Sequence, residues 1–361
     1  MLIVGIKDIK REQWRKLLEV SPTASWFQSP EAYDFYISIP QIMTAFVVAV
    51  TRDTSSQTSS KNSESCTQRG NDISEDLKGV CVGYITRDKS PVKQFFTRRA
   101  IIYGGPLLSD DITDEELREL LIAVSRQPSI SSRQLFEVST PIYIETRNFS
   151  DFSHWRNVFE ECCFSFLPHY DMFIDCSDRD IMRSKIYDGK MRQIRKAEAE
   201  GVEIFEATTE EEINEFYSLL KRLYKKKVRT PLFDLEFFTT FVSQKRGVLL
   251  LVKKPSAISD KQSIIIGGML CPILNGKIIY EWYVVGPAIV TWAAMDYANR
   301  HNIPIFDLMG AGEPDVPYGV RDFKLQFGGE LKEYGRFLKI NNKLWYSIGK
   351  LGVKCYKRIK L

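Results

Sequence analysis

FDLMGAGEPDVPYGVRDFKLQFGGELKEYG, residues 306–335, is the densest unusual segment of the chain. Its first residues read as the end of a strand that delivers Asp307. GAGEPDVPYG is crowded with glycine and proline and makes a tight, exposed loop. DFKLQFGGEL follows, with Phe323 and Phe327 one helical turn apart and Lys324 beside them. A turn-rich connection closed by an apolar contact accounts for the phenylalanines. A rigid loop that places one lysine beside an aromatic wall accounts for the lysine as well. Such a cation in a dry cleft stabilises an oxyanion without acting as a base.

Outward from this segment, the chain alternates strands and helices. Upstream lie the strand IPIFDLMG (303–310), the helix VTWAAMDYANRHN (290–302), and the strands GVLLLVKK, SIIIGGMLCPIL and KIIYEWYVVG. TTEEEINEFYSLLKRLYKKK (208–227) opens with Thr and three Glu, a helix start. DLEFFTTFVSQ (234–244) also reads helical, and VEIFEA (202–207) as a short strand. HYDMFIDCS (169–177) alternates as a strand, and residues 178–201 read as one helix ending on Gly201. The first half has the same grammar. MTAFVVAV (43–50) and GVCVGYIT (79–86) are strands around a polar stretch, 51–78, that reads as a disordered hairpin loop. FFTRRAIIYGGPLL and LFEVSTPIYIE are further strands, and TDEELRELLIAVSRQ (113–127) is a capped helix. The expectation is an α/β chain of two domains, 1–164 and 165–335, with 336–361 packing back on the first.

Composition narrows the classes. A length of 361 residues suits about two domains. With 44% apolar and 27% charged residues, the chain is not largely disordered. Net charge is only +4, which argues against a wholesale nucleic-acid coat. No apolar run approaches a membrane span, and the charged start does not read as a signal peptide, so a cytoplasmic protein is expected. Its seven cysteines contain no C-x-x-C pair and read as reduced thiols. The three histidines lack metal-ligand spacing, so no metal is expected. No G-x-S-x-G, P-loop or G-x-G-x-x-G motif occurs. The glycine-rich turn that holds the coenzyme A pyrophosphate is also missing.

Three basic features point to an anionic partner such as RNA, a nucleotide diphosphate or a lipid phosphate. RSKIYDGKMRQIRKAE carries Arg183, Lys185, Lys190, Arg192, Arg195 and Lys196, and KRLYKKKVRTP carries Lys221 through Arg229. From Gly335 to Leu361 there are eight Lys and Arg and no acid, with Trp345, Tyr346 and Tyr356 interleaved. That pattern suits peripheral contact with a membrane surface, at its inner face.

FQSPE at 27–31, RQIRKAEAEGV at 192–202, the FDLMGAG run and GVRDFKLQFGGEL at 319–331 resemble the FemA/FemB/FemX-type aminoacyltransferases of peptidoglycan-bridge synthesis and their FemAB-like relatives. The resemblance spans residues from about 20 to 340, and the FKxxFGG element is its most specific part. It implies two tandem GNAT-like domains with mixed sheets flanked by helices. It also implies transfer of an amino acid from aminoacyl-tRNA to an amine of a lipid- or nucleotide-linked peptidoglycan precursor, with no cofactor and no metal. Carried over by position, Phe323 and Lys324 match the pair beside the reacting carbonyl, Arg229 a contact to the precursor diphosphate, and Tyr280 a substrate-contacting tyrosine. Lys227, Tyr318 and Arg321 complete the candidate substrate-binding set. Two alternatives stay open: an acyl-CoA-dependent N-acyltransferase acting on an amino sugar of a surface polysaccharide, and a non-catalytic member that binds RNA or precursor.

Overall fold

The computed structural model describes residues 2–4, 9–53, 75–87, 98–126, 140–228, 231–255 and 263–359. They form two α/β units, each a mixed sheet flanked by helices. The first comprises Met1–Tyr36, Met43–Phe166 and Arg336–Gly349, and the second Ile37–Ile42, Leu167–Gly335 and Lys350–Leu361. The C-terminal segment therefore divides, and only its part up to Gly349 groups with the first unit. The short stretch 37–42 also groups with the second.

In the first unit the strands are β1 (Leu2–Val4), β2 (Met43–Asp53), β3 (Glu75–Thr86), β4 (Ala100–Gly104), β5 (Leu107–Leu108), β6 (Tyr143–Asn148), β7 (Ser165–Leu167) and β16 (Arg336–Ile340). Their order is β1-β2-β3-β4-β6-β16-β7, with β5 also on β3. β2 and β3 extend into the stretch read as loop, through Asp53 and from Glu75, so only 54–74 of that expected disordered segment lies outside the described residues. β1–β2, β2–β3, β3–β4, β3–β5 and β6–β16 pair antiparallel, while β4 and β6, separated in sequence by the Asp114–Arg126 helix, pair parallel. Thr113 and Glu116 cap that helix reciprocally, each side chain accepting from the other's backbone N–H. Phe46, Val48, Ile102, Ile144, Leu117, Leu120, Phe159 and Phe337 form the core against one sheet face.

The second unit holds β8 (Tyr170–Asp175), β9 (Glu203–Glu206), β10 (Gly247–Pro255), β11 (Ser263–Leu274), β12 (Ile278–Tyr280), β13 (Tyr283–Val285), β14 (Ile305–Gly310) and β15 (Glu330–Glu333). The order is β15-β8-β14-β12-β11-β10-β9, with β13 on β11. Here too one pair is parallel, β12 with β14, and the Ala288–Arg300 helix lies between them in sequence. That helix is buried along nearly its whole length, which explains its weak polar face.

In the first unit FFTRRAIIYGGPLL divides at Gly105–Pro106 into β4 and β5, and its residues 95–97, like 135–139 of LFEVSTPIYIE, lie outside the described residues. In the second unit two elements differ from the sequence reading. Residues 178–201 form two helices, Arg179–Ser184 and Asp188–Ala199. The break falls where Gly328 meets the backbone of Lys185: a β-carbon on Gly328 would sit 2.7 Å from the Lys185 carbonyl oxygen. Tyr187 N then donates to Gln326 O at 3.0 Å instead of continuing the helix. KIIYEWYVVG likewise divides at Glu281–Trp282 into β12 and β13. That division creates the site described next.

Candidate active site

β12 and β14 run side by side only as far as Tyr280 opposite Asp307. Past that point they part. Trp282 N donates to Leu270 O at 3.0 Å, and β13 continues on β11 with Tyr283 opposite Leu270. β14 stays with β8, but its ladder shifts between Asp307 and Gly310. Within the shift Met309 takes a left-handed conformation, φ 57°, which side chains rarely adopt. Its N–H closes on Asp307 Oδ1 at 2.6 Å. The bulge leaves the Leu308 and Gly310 carbonyls for another partner.

That partner is Lys324. Its ammonium donates to Leu308 O, to Gly310 O at 3.3 Å, and lies 2.9 Å from Glu281 Oε1. Both side chains of the pair are buried, 6% and 7% exposed, so the attraction acts in a low-dielectric setting. Burial pushes the Glu281 carboxyl above its ordinary range, and Lys324 offsets part of the rise. Asp307 is pushed up further, first by complete burial and then by the Asp171 charge. Its Oδ2 has no hydrogen-bond partner, which suits a carboxyl that holds its proton. Three buried acids, Asp171, Glu281 and Asp307, thus surround the end of the parallel pair with one buried ammonium among them.

The motif residues hold this lysine in place. Lys324 lies on the short helix Gly319–Leu325, whose exit runs through Phe327, Gly328 and Gly329. A β-carbon on Gly329 would meet Met172 Cγ at 2.8 Å, so both glycines permit close approach to neighbouring backbone or core. Phe327 is fully buried.

The other predicted residues fall into different settings. Successive helix residues point about 100° apart, so Phe323 does not share the lysine's pocket. Its ring packs on Phe327, centroids 5.3 Å apart, with the Lys190 ammonium 4.3 Å from its own centroid. Tyr280 is buried at 1% exposure beside Asp307 and lines the core instead of presenting a ring to solvent. Arg321 donates to Glu313 O at 2.8 Å and Val316 O at 2.6 Å, which fastens the loop before its helix. Tyr318 is exposed and its ring covers Gly312. Lys227 is exposed on a π-helical turn, Tyr224–Val228, which starts with Tyr224 against Tyr283 of β13. The lysine run is therefore carried on a turn that begins at the strand bordering the opening. Arg229 lies outside the described residues.

Glu281 and Asp171 were not singled out by sequence reasoning. Their signal is an acid at a position buried within an apolar strand, in KIIYEWYVVG and HYDMFID.

No protein-family model matches the chain, and no curated protein matches it in sequence. Solved structures do match. One titled as the crystal structure of FemX is similar over 96% of this chain and 99% of its own, with TM-score 0.64 and 14% identity. The chain has the FemX fold. A conserved protein of unknown function from Bacteroides thetaiotaomicron shares the FemX-like architecture less closely, with TM-score 0.51, 11% identity, and coverage of 93% and 99%. Across this FemX-like fold, Lys324 and Glu281 stand where the second unit's parallel strands separate.

Proposed function

We propose that this chain is an N-acyltransferase of cell-envelope biosynthesis that moves an aminoacyl group from aminoacyl-tRNA to an amine of a peptidoglycan precursor. The observation that carries the reading is the parting of β12 and β14 over the buried Lys324–Glu281 pair. Past the parting, β13 pairs with β11 alone among the described strands and so forms a sheet edge there. An extended donor or peptide can hydrogen-bond to such an edge.

The chemistry follows from the groups present. The acceptor amine attacks the ester carbonyl and forms a tetrahedral oxyanion, which the Lys324 ammonium neutralises. Glu281, made more basic by burial, takes the proton that the amine loses. Collapse breaks the ester bond, and the ribose oxygen leaves as a hydroxyl with a proton from the same pair. No net charge remains in the site. Lys225, Lys226 and Lys227, all exposed on the turn beside β13, provide attraction for a polyanionic donor. Arg229 is assigned to the acceptor diphosphate, and Phe323, Tyr318 and Arg321 to shaping the mouth.

The tail adds a place of action. No helix among the described residues is long and apolar enough to cross a membrane. The Lys343–Ile359 helix, however, exposes Leu344, Ile348 and Leu351 at one-turn intervals, beside exposed Lys343 and Lys350. We assign this face to anionic lipid, where a lipid-linked acceptor resides.

Transfer of a radiolabelled amino acid from charged tRNA mixtures to nucleotide- or lipid-linked muropeptide tests the reading. Product formed from charged tRNA and lost in Lys324→Met supports it. Product from acyl-CoA on an amino sugar, with none from tRNA, would assign the acyl-CoA reaction instead. Binding of either substrate without product would make the chain a non-catalytic member.

A further inference from the structure

A bulge inside a sheet needs something to hold it, because the ladder it interrupts favours regular pairing. On β14 three steps, from Asp307 to Gly310, span two on β8, from Phe173 to Asp171. Met309 absorbs the extra residue at φ 57°, a conformation that disfavours any side chain, and its own is buried. Neither the ladder nor the preference of the backbone therefore supplies the hold.

Asp307 supplies it from two of its parts. Its backbone carbonyl accepts from Glu281 N at 2.8 Å, just past the last register pair of β12 with β14. Its side-chain Oδ1 accepts from Met309 N at 2.6 Å, which closes the chain over the bulge. One residue thus anchors the strand that carries Glu281 and turns the segment whose Leu308 and Gly310 carbonyls receive the Lys324 ammonium. Asp307 is fully buried, and its Oδ2 meets no donor among the described residues. Burial, and after it the Asp171 charge, hold its carboxyl above the usual range. It therefore serves the bulge as a neutral acceptor, and Glu281 remains the acid paired with Lys324.

We infer that Asp307 is a positioning residue for Lys324: its carboxyl fixes the Met309 bulge, and the bulge aims the two carbonyls that set where the ammonium stands. It acts through the lysine and not on a reacting atom. Its bearing on catalysis rests on the proposed assignment of Lys324 to the oxyanion, whereas its hold on the lysine does not.

Steady-state transfer and urea unfolding, both on the full chain, test the role. Asp307→Leu is close in size and cannot accept a hydrogen bond. It should lower kcat by roughly tenfold or more and leave KM within about twofold, because the cation is displaced while the binding surfaces stay. Asp307→Asn keeps an acceptor oxygen for the Met309 N–H and should recover most of that loss. An Asp307→Leu variant with the parent's kcat overturns the assignment. So does an Asp307→Asn variant as slow as Asp307→Leu, since the charge and not the acceptor would then matter. A double-mutant cycle in urea needs no activity. Asp307→Leu and Lys324→Met should together cost clearly less than the sum of their single losses, because a relaxed bulge no longer presents the carbonyls that Lys324→Met leaves without a donor. The same cycle built on Asp307→Asn should be additive. Additive losses in the leucine cycle also overturn the positioning role. If Asp307→Leu does not fold, Asp307→Asn decides: a kcat within a few-fold of the parent and an additive cycle support the role, and a loss as large as that of Lys324→Met overturns it. If the parent transfers nothing from any donor, the proposed function fails, and the cycles still decide whether Asp307 holds Lys324.

Discussion

Replacing Lys324 by methionine tests the centre of the second unit in two separable ways. The substitution removes an ammonium that is 6% exposed and leaves Glu281, 7% exposed, without its cation. Orphaning one partner of a buried pair costs about 3–5 kcal/mol. The Leu308 and Gly310 carbonyls lose a donor as well, so the upper half of that range is expected. Restoring neutrality in Lys324→Met/Glu281→Gln should recover at least half of the loss. Transfer should stay down by roughly 100-fold or more in both variants, because neither restores the ammonium. Urea unfolding followed by circular dichroism, with slopes compared to exclude a changed unfolded state, measures the first effect. The single variant also carries a pH signature. Without Lys324 the folded Glu281 pKa moves further above its unfolded value of about 4.3. The native state then holds a proton that the unfolded chain has released, so raising pH through that window favours unfolding. The deficit should therefore shrink as pH falls from 7 towards 4.5, and the double variant should lack that trend. A Lys324→Met protein as stable as the parent, or a double variant no better than the single, would refute the buried-pair argument. Full activity in either variant would remove Lys324 from the chemistry.

Three further outcomes are expected. Asp307, its folded pKa raised by burial, makes the parent lose stability as pH climbs from about 4; Asp307→Asn should flatten that part of a melting-temperature profile, and an unchanged slope would show that another group titrates. Gly328→Ala forces a side chain at φ 78° and a β-carbon 2.5 Å from Lys185 Cβ, so a loss on the order of 2–4 kcal/mol should appear in denaturant unfolding. Sedimentation with vesicles should show binding to anionic but not neutral lipid, lost at roughly 0.5 M salt and in a chain ending at Asn342, whereas salt-independent binding would exclude the tail helix.

How much was legible in the sequence depended on whether a feature is local. Strand and helix grammar, the capped helix starts and two α/β units follow from periodicity and length; the FemX-like fold came only from the family resemblance of a few motifs. The site's lysine was legible because FKLQFGG carries its own packing instructions in two glycines. Its partner was not. Glu281 belongs to a strand that periodicity reads as continuous, and only the competition between β14 and β11 for that strand breaks it at Glu281–Trp282. Which of two neighbours wins is a non-local matter that alternation cannot express. The split of 178–201 has the same origin: helix propensity favours continuation, and the approach of Gly328 to Lys185 overrides it. The tail shows the reverse case. Its eight cations look equivalent in sequence, yet Arg336 is committed to Glu145, and Lys339 to Ser125 Oγ and Cys162 O.

The FQSP motif changes meaning in the same light. In sequence it marks only a resemblance. In the first unit, Gln28 Nε2 donates to Val82 O at 2.9 Å and to Tyr103 O at 2.8 Å, while its Oε1 accepts from Val82 N at 2.8 Å. One side chain therefore satisfies the backbone of β3 and β4 where these strands separate, as a sheet partner would. A β-carbon on Gly104 would fall 2.1 Å from Ser25 Oγ, so the same segment fills the gap from the other end. Residues 23–28 thus fill a gap between the antiparallel strands β3 and β4, while the parallel pair β4 and β6 stays in register through Gly104 opposite Asn148. In the first unit buried polar groups are thus spent on holding β3 and β4 together, whereas in the second Lys324 and Glu281 are buried where β12 and β14 part. Gln28 is a strand-bridging residue away from the Lys324–Glu281 pair, and Gln28→Leu should lower stability without changing the transfer rate per folded molecule. If that variant folds as well as the parent yet loses turnover, the structural role is wrong and FQSP belongs to the reaction.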